Sequence, residues 1–189
     1  LSTRLISHIM LVIGLISWVI MGHNELYTYL NNMDFYNSSV IFMTLSAVIG
    51  VLLAHRLNWQ SLHLIKYVYT LYLVYMCMVI VSEGFALHQS YGLMVWVLAA
   101  LVNYWLLKLY DNKMQYLPVY HLISLLLFSF ILVFEFAELS RFVFSANSIW
   151  HVASYSLMLL IISLGLYVIK SSSSWPIKQY KPVYNNYGL

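Results

Sequence analysis

Apolar runs long enough to cross a bilayer restrict the fold of this chain more than any motif does. A membrane-spanning helix needs about 20 consecutive, mostly apolar residues. Six stretches meet or approach that length: 5–21, 39–55, 67–84, 91–109, 117–138 and 148–170. Hydrocarbon offers backbone N–H and C=O groups no partner, so each run has to close its hydrogen bonds within itself as a helix. The first two runs are short and need flanking residues to reach across. The expectation is an all-α fold: a polytopic transmembrane helical bundle of about six spans over residues 1–170, with a short, polar, irregular tail over 171–189. The first run lacks a small-residue cleavage pattern and reads as a retained span rather than a removable signal. Because the numbering starts at Leu1, a further helix upstream is allowed for.

Charge supplies the direction. Only 8% of the residues are charged, against roughly a quarter in a soluble domain. With six spans, the termini and the loops after the second and fourth spans share one side. That side holds Arg4, Arg56, Lys66, Lys108, Lys113, Lys170, Lys178 and Lys181, eight of the nine basic residues. The other side holds Arg141 together with Glu25, Asp34, Glu83, Glu135 and Glu138, five of the six acids. Short cytoplasmic loops are enriched in Lys and Arg, so both termini are expected in the cytoplasm. Trp18, Trp59, Tyr91, Tyr110, Tyr116, Tyr120 and Trp150 lie near span ends, as an interfacial aromatic belt requires. The net charge of +3 is small and scattered, which excludes a nucleic-acid-binding surface. A single cysteine, Cys77, excludes an intrachain disulfide and a cysteine-built metal site.

Soluble-enzyme signatures are absent, so the informative residues are polar ones at membrane depth, where they are costly and face the protein interior. On the side opposite the basic residues, His23 follows the first span and Ser82, Glu83 and His88 end the third. Glu135 and Glu138 end the fifth, and Asn147 and His151 open the sixth. Three imidazoles with carboxylates at hand are a candidate zinc site: His23, His88 and His151 as ligands, with Glu83 or Glu135 moving a proton for metal-activated water. Against this stands a structural alternative, in which the groups meet water and Glu138 pairs with Arg141 one helical turn on. Asn147 and His151, four residues apart, share a helical face that Ser154 and Met158 extend. That seam serves a ligand or hydrogen-bonds a neighbouring helix.

The run NSIWHVASYSLMLL, residues 147–160, resembles the last helix of the CREST superfamily of membrane proteins, which includes alkaline ceramidases, progestin and adiponectin receptors and hemolysin III-like proteins. The resemblance implies a seven-helix fold and a zinc-dependent lipid or amide hydrolase. In that reading His151 matches the second histidine of a His-x-x-x-His pair, and Asn147 stands where the family has the first. His88 takes the place of the histidine from an earlier helix. Ser82, six residues before it, stands for the family's serine; the family's Asp has no direct match, and Glu83 takes its part.

On the cytoplasmic side are His8, His55, His63 and His121. His8 and His121 lie about one turn inside their helices and form the more credible pair for haem b ligation. Tyr69, Tyr72 and Tyr75 recur at i+3 on the third span and are expected to knit helices together. Three functions follow from these residues: a zinc-dependent membrane hydrolase acting on lipid, a non-catalytic subunit or anchor of a larger membrane assembly, and a haem b electron-transfer protein. A transporter is disfavoured, because only Gly14, Gly50 and Gly165 approach the mid-span interruptions that broken helices show.

Overall fold

The computed structural model describes residues 3–59, 62, 64–110, 117–144, 149–169, 175, 176 and 180. Their secondary structure is six helices: α1 (Thr3–Tyr29), α2 (Asn32–Arg56), α3 (Ile65–Ser82), α4 (Gly92–Leu109), α5 (Leu117–Val143) and α6 (Ile149–Ile169). No strand occurs among the described residues. All six helices are long and apolar enough to cross a membrane.

The two runs that seemed short are the ends of long helices. α1 has 27 residues and α2 has 25. At 1.5 Å per residue these measure about 40 and 37 Å, more than the roughly 30 Å hydrocarbon core. Polar residues end an apolar run without ending a helix, so α1 continues through His23, Asn24 and Glu25 to Tyr29. Only Leu30 and Asn31 then separate it from α2. Two expectations change as a result. His23 does not follow the first span but sits within it. Trp18 lies mid-helix rather than at an interface, and its indole N–H finds a partner in Ser46 Oγ at 3.0 Å, as a buried or lipid-facing indole requires. At the helix ends charge complements the macrodipole: Asp34 lies in the first turn of α2, Arg56 in its last, and Lys108 in the last turn of α4.

The contacts divide the chain into two compact units, residues 1–76 with 90–102 and residues 77–89 with 103–189. In the first unit α1 packs on α2. Gly22 meets the Phe42 ring with no room for a Cβ, and Trp18 stacks on the same ring with centroids 5.4 Å apart. The Tyr69 hydroxyl lies 3.0 Å from Thr44 Oγ1 on α2 and donates to the Ala99 carbonyl on α4 at 3.3 Å. Tyr72 Oη lies 2.9 Å from His23 Nε2 on α1. Two tyrosines of the i+3 set therefore join helices, and the third, Tyr75, is exposed.

In the second unit α5 packs along α6, and Asn103 Nδ2 on α4 donates to Ser124 Oγ on α5 at 2.8 Å. Part of the tail is built into this unit. Tyr180 and Trp175 lie against the buried His121, with ring centroids at 4.5 and 5.4 Å. Trp175 also meets Tyr104 edge-on at 5.0 Å. The large apolar area of the rings gives these tail residues a reason to dock that a composition of serines and prolines conceals.

The spans within α1 and α6 are only 6% and 11% buried, against 33–44% for the other four. Exposed side chains on α6 include Ile149, Val152, Leu157, Leu160, Leu164 and Val168. A soluble monomer does not sustain apolar surface on this scale, and acyl chains solvate it well.

Candidate functional site

The second unit contains Ser82, Glu83, His88, Glu135, Glu138 and His151, six of the polar residues assigned to one membrane face. Past the end of α3 the chain reverses at Gly84, whose φ of +71° is the left-handed conformation that glycine adopts freely. The segment that follows is not helical, so its backbone N–H groups need acceptors from elsewhere. Glu135 on α5 supplies them. Its Oε2 accepts the Leu87 N–H at 2.7 Å, and its Oε1 accepts the His88 N–H at 2.9 Å and lies 2.6 Å from His88 Nδ1. Glu135 is 4% exposed, and a buried carboxylate is tolerable when donors converge on it in this way. Because a carboxylate accepts, Nδ1 of His88 is the donor in this contact.

One turn further along α5 the same face carries Glu138 and then Arg141. Arg141 Nη1 donates to Glu138 Oε2 at 2.9 Å. The Glu138 side chain is 9% exposed and that of Arg141 is 48% exposed, so the pair is anchored at its acidic end and open at its basic end. Arg141 Nε also donates to His151 Nε2 at 3.4 Å, while His151 Nδ1 lies 3.2 Å from Ser140 Oγ. Ser140 and Ser154 are 3.1 Å apart, and their hydroxyls donate to the Ala137 and His151 carbonyls respectively. This bridge between the end of α5 and the start of α6 is the helix-joining alternative for the polar seam. Asn147, the first residue of that seam, lies outside the described residues. Gly84, His88, Gln89, Glu138 and Arg141 line an open cleft of about 220 Å³.

The remaining candidates are placed as follows. Ser82 is exposed and its hydroxyl turns back to the Val79 carbonyl at 2.8 Å. Glu83 is exposed beside it. Neither touches Glu135. His23 belongs to the first unit, with Nδ1 2.9 Å from the Val19 carbonyl and Nε2 against Tyr72. Phe35, Phe42 and Tyr72 surround its ring edge-on, at 5.7–6.4 Å between centroids. Among the described residues, no three His, Cys, Asp or Glu side chains are grouped so as to hold a metal ion. His23 lies in the first unit and His88 and His151 in the second; the ring nitrogens of His23 contact the Val19 carbonyl and Tyr72, and those of His151 contact Ser140 and Arg141. Of the haem candidates, His8 is exposed on α1, in the first unit, and His121 is buried under Trp175 and Tyr180 in the second. His55 is exposed at the end of α2, and His63 lies outside the described residues.

Ser140, Gln89 and the two backbone N–H groups on Glu135 belong to this site, and sequence reasoning passed over them. A serine within an apolar run and an amide in a loop carry no spacing signal, and a backbone donor carries none at all. Known protein families, curated proteins and solved structures, compared with this chain, yield no match.

Proposed function

We infer that the chain is a multi-pass integral membrane protein, with both termini in the cytoplasm, acting as a non-catalytic subunit or anchor of a membrane assembly. One observation supports this reading: Glu135, His151 and His23, all considered for chemistry, make contacts that join helices and loops. Glu135 ties down the loop after α3, His151 and Ser140 fasten α5 to α6, and His23 fastens α1 to α3 through Tyr72. The thinly buried α1 and α6 add lateral surface that a partner's helices can cover. Purification in a mild detergent with lysine- and carboxylate-directed crosslinking tests it. The expected result is discrete, reproducible higher-mass species containing this chain. A lone monomer under every condition would sink the subunit role and leave only the membrane assignment.

The second reading, a zinc-dependent lipid or amide hydrolase like the CREST proteins, draws its support from the cleft beside His88. A carboxylate–imidazole pair next to an open polar cleft is the kind of arrangement that orients a metal-ligating histidine. Metal analysis of the purified chain decides between the two. Stoichiometric zinc that disappears in His88→Ala favours the hydrolase, and substoichiometric zinc that is indifferent to this change favours the anchor.

A further inference from the structure

We propose that the cleft formed by Gly84, His88, Gln89, Glu138 and Arg141 binds the zwitterionic headgroup of a membrane phospholipid, its phosphate on Arg141 and Gln89 and its ammonium on Glu138. The inference rests on the chain lying in a membrane but not on its being a subunit. The argument begins with the asymmetry of the Glu138–Arg141 pair. The Glu138 carboxylate is almost dry, while the Arg141 side chain is half exposed, with Nη1 on Glu138 and Nε on His151. A zwitterion inserted between them exchanges one ion pair for two with no change in net charge. A purely anionic headgroup would take Arg141 and strand the buried Glu138 carboxylate, which is the expensive outcome. Arginine presents a flat fork of donors that matches a phosphate, and Gln89 lines the same cleft. The volume of about 220 Å³ is well above the roughly 10–15 Å³ that a single water needs on the same measure, which leaves room for a headgroup. The depth fits as well, since the cleft lies between the end of a span and the loop after another, where headgroups sit.

The test uses the full chain, purified in mild detergent, delipidated and examined by native mass spectrometry with phosphatidylethanolamine, phosphatidylglycerol or soluble phosphoethanolamine. The wild type is expected to retain phosphatidylethanolamine over phosphatidylglycerol by about tenfold. Arg141→Gln is expected to lose that retention, Arg141→Lys to keep part of it, and Glu138→Gln to erase the preference between the two lipids. Leu160→Ala, on the exposed face of α6, should change nothing. A second measurement needs no variant: phenylglyoxal modification of Arg141 in the wild type should slow when phosphatidylethanolamine is added. Equal retention of the two lipids by the wild type, or retention unchanged in both Arg141→Gln and Glu138→Gln, overturns the proposal. Protection by soluble phosphoethanolamine without protection by the lipid overturns the lipid assignment. Recovery of the chain in the soluble cell fraction would instead overturn the membrane reading itself.

Discussion

Glu135 shows how much of a fold can rest on one carboxylate. Two backbone N–H groups and an imidazole converge on it from a loop that has no secondary structure to satisfy them. Glu135→Ala should therefore cost on the order of 1–3 kcal/mol for each donor left dry. His88→Ala removes one donor and leaves the carboxylate with two, so its cost should be the smaller. Thermal unfolding in detergent, read by loss of helical signal, checks the order, and a greater loss for His88→Ala would mean that the loop does not hang on Glu135. Tyr72→Phe should cost less again, about 0.6 kcal/mol and at most about 1.7, as interhelical hydrogen bonds in membranes do. The sequence marked Glu135, His88, Glu138 and His151 as notable because ionisable groups stand out against hydrocarbon. It could not say what each would touch, because the partners include backbone donors and a serine. It grouped His23 with His88 and His151 by membrane face alone, and a shared face says which end a residue occupies and nothing about its neighbours around that end.

At the scale of elements, the number and order of helices were legible because lipid imposes a length and a composition on every span. Their ends were not. Hydropathy reports where the apolar run stops, and α1 runs on past that point, which moves Trp18 and His23 inside the helix. Glycine gives a sharp test of how α1 then packs. At Gly22 an added Cβ would collide with the Phe42 ring, while Gly14 on the same helix faces open space. Gly22→Ala should destabilise by about 1–3 kcal/mol, as overpacking does. Gly14→Ala should be neutral or stabilise by up to about 1 kcal/mol, because alanine has the better helix propensity. The two variants are chemically identical changes, so opposite signs in a paired unfolding experiment isolate the α1–α2 contact. Between α5 and α6 the same role falls to Ser140. Ser140→Ala removes the hydroxyl that meets both His151 and Ser154 and should cost about 1–2 kcal/mol in that environment.

For the whole molecule the decisive quantity is the separation of charge along the chain. If consecutive spans reverse direction, eight of nine basic residues fall on one side and five of six acids on the other, and a change of one in the number of helices would scramble both sets. The six observed helices keep the alternation intact: Arg56 and Lys108 close the second and fourth helices, and Arg141 closes the fifth. Basic residues resist translocation, so the side rich in them is expected to stay in the cytoplasm. Gln89 and His55 are exposed and lie at the ends of successive helices, one after α3 and one at the end of α2, while Cys77, the native thiol, is buried. In a Cys77→Ala background, Gln89→Cys should react with an impermeant maleimide in intact cells or sealed spheroplasts, and His55→Cys only after the membrane is opened. Reaction of both from outside would mean that α3 does not cross. The reverse pattern would put Glu135, His88 and the cleft on the cytoplasmic face, where a headgroup site would meet the inner leaflet and the charge argument for orientation would fail.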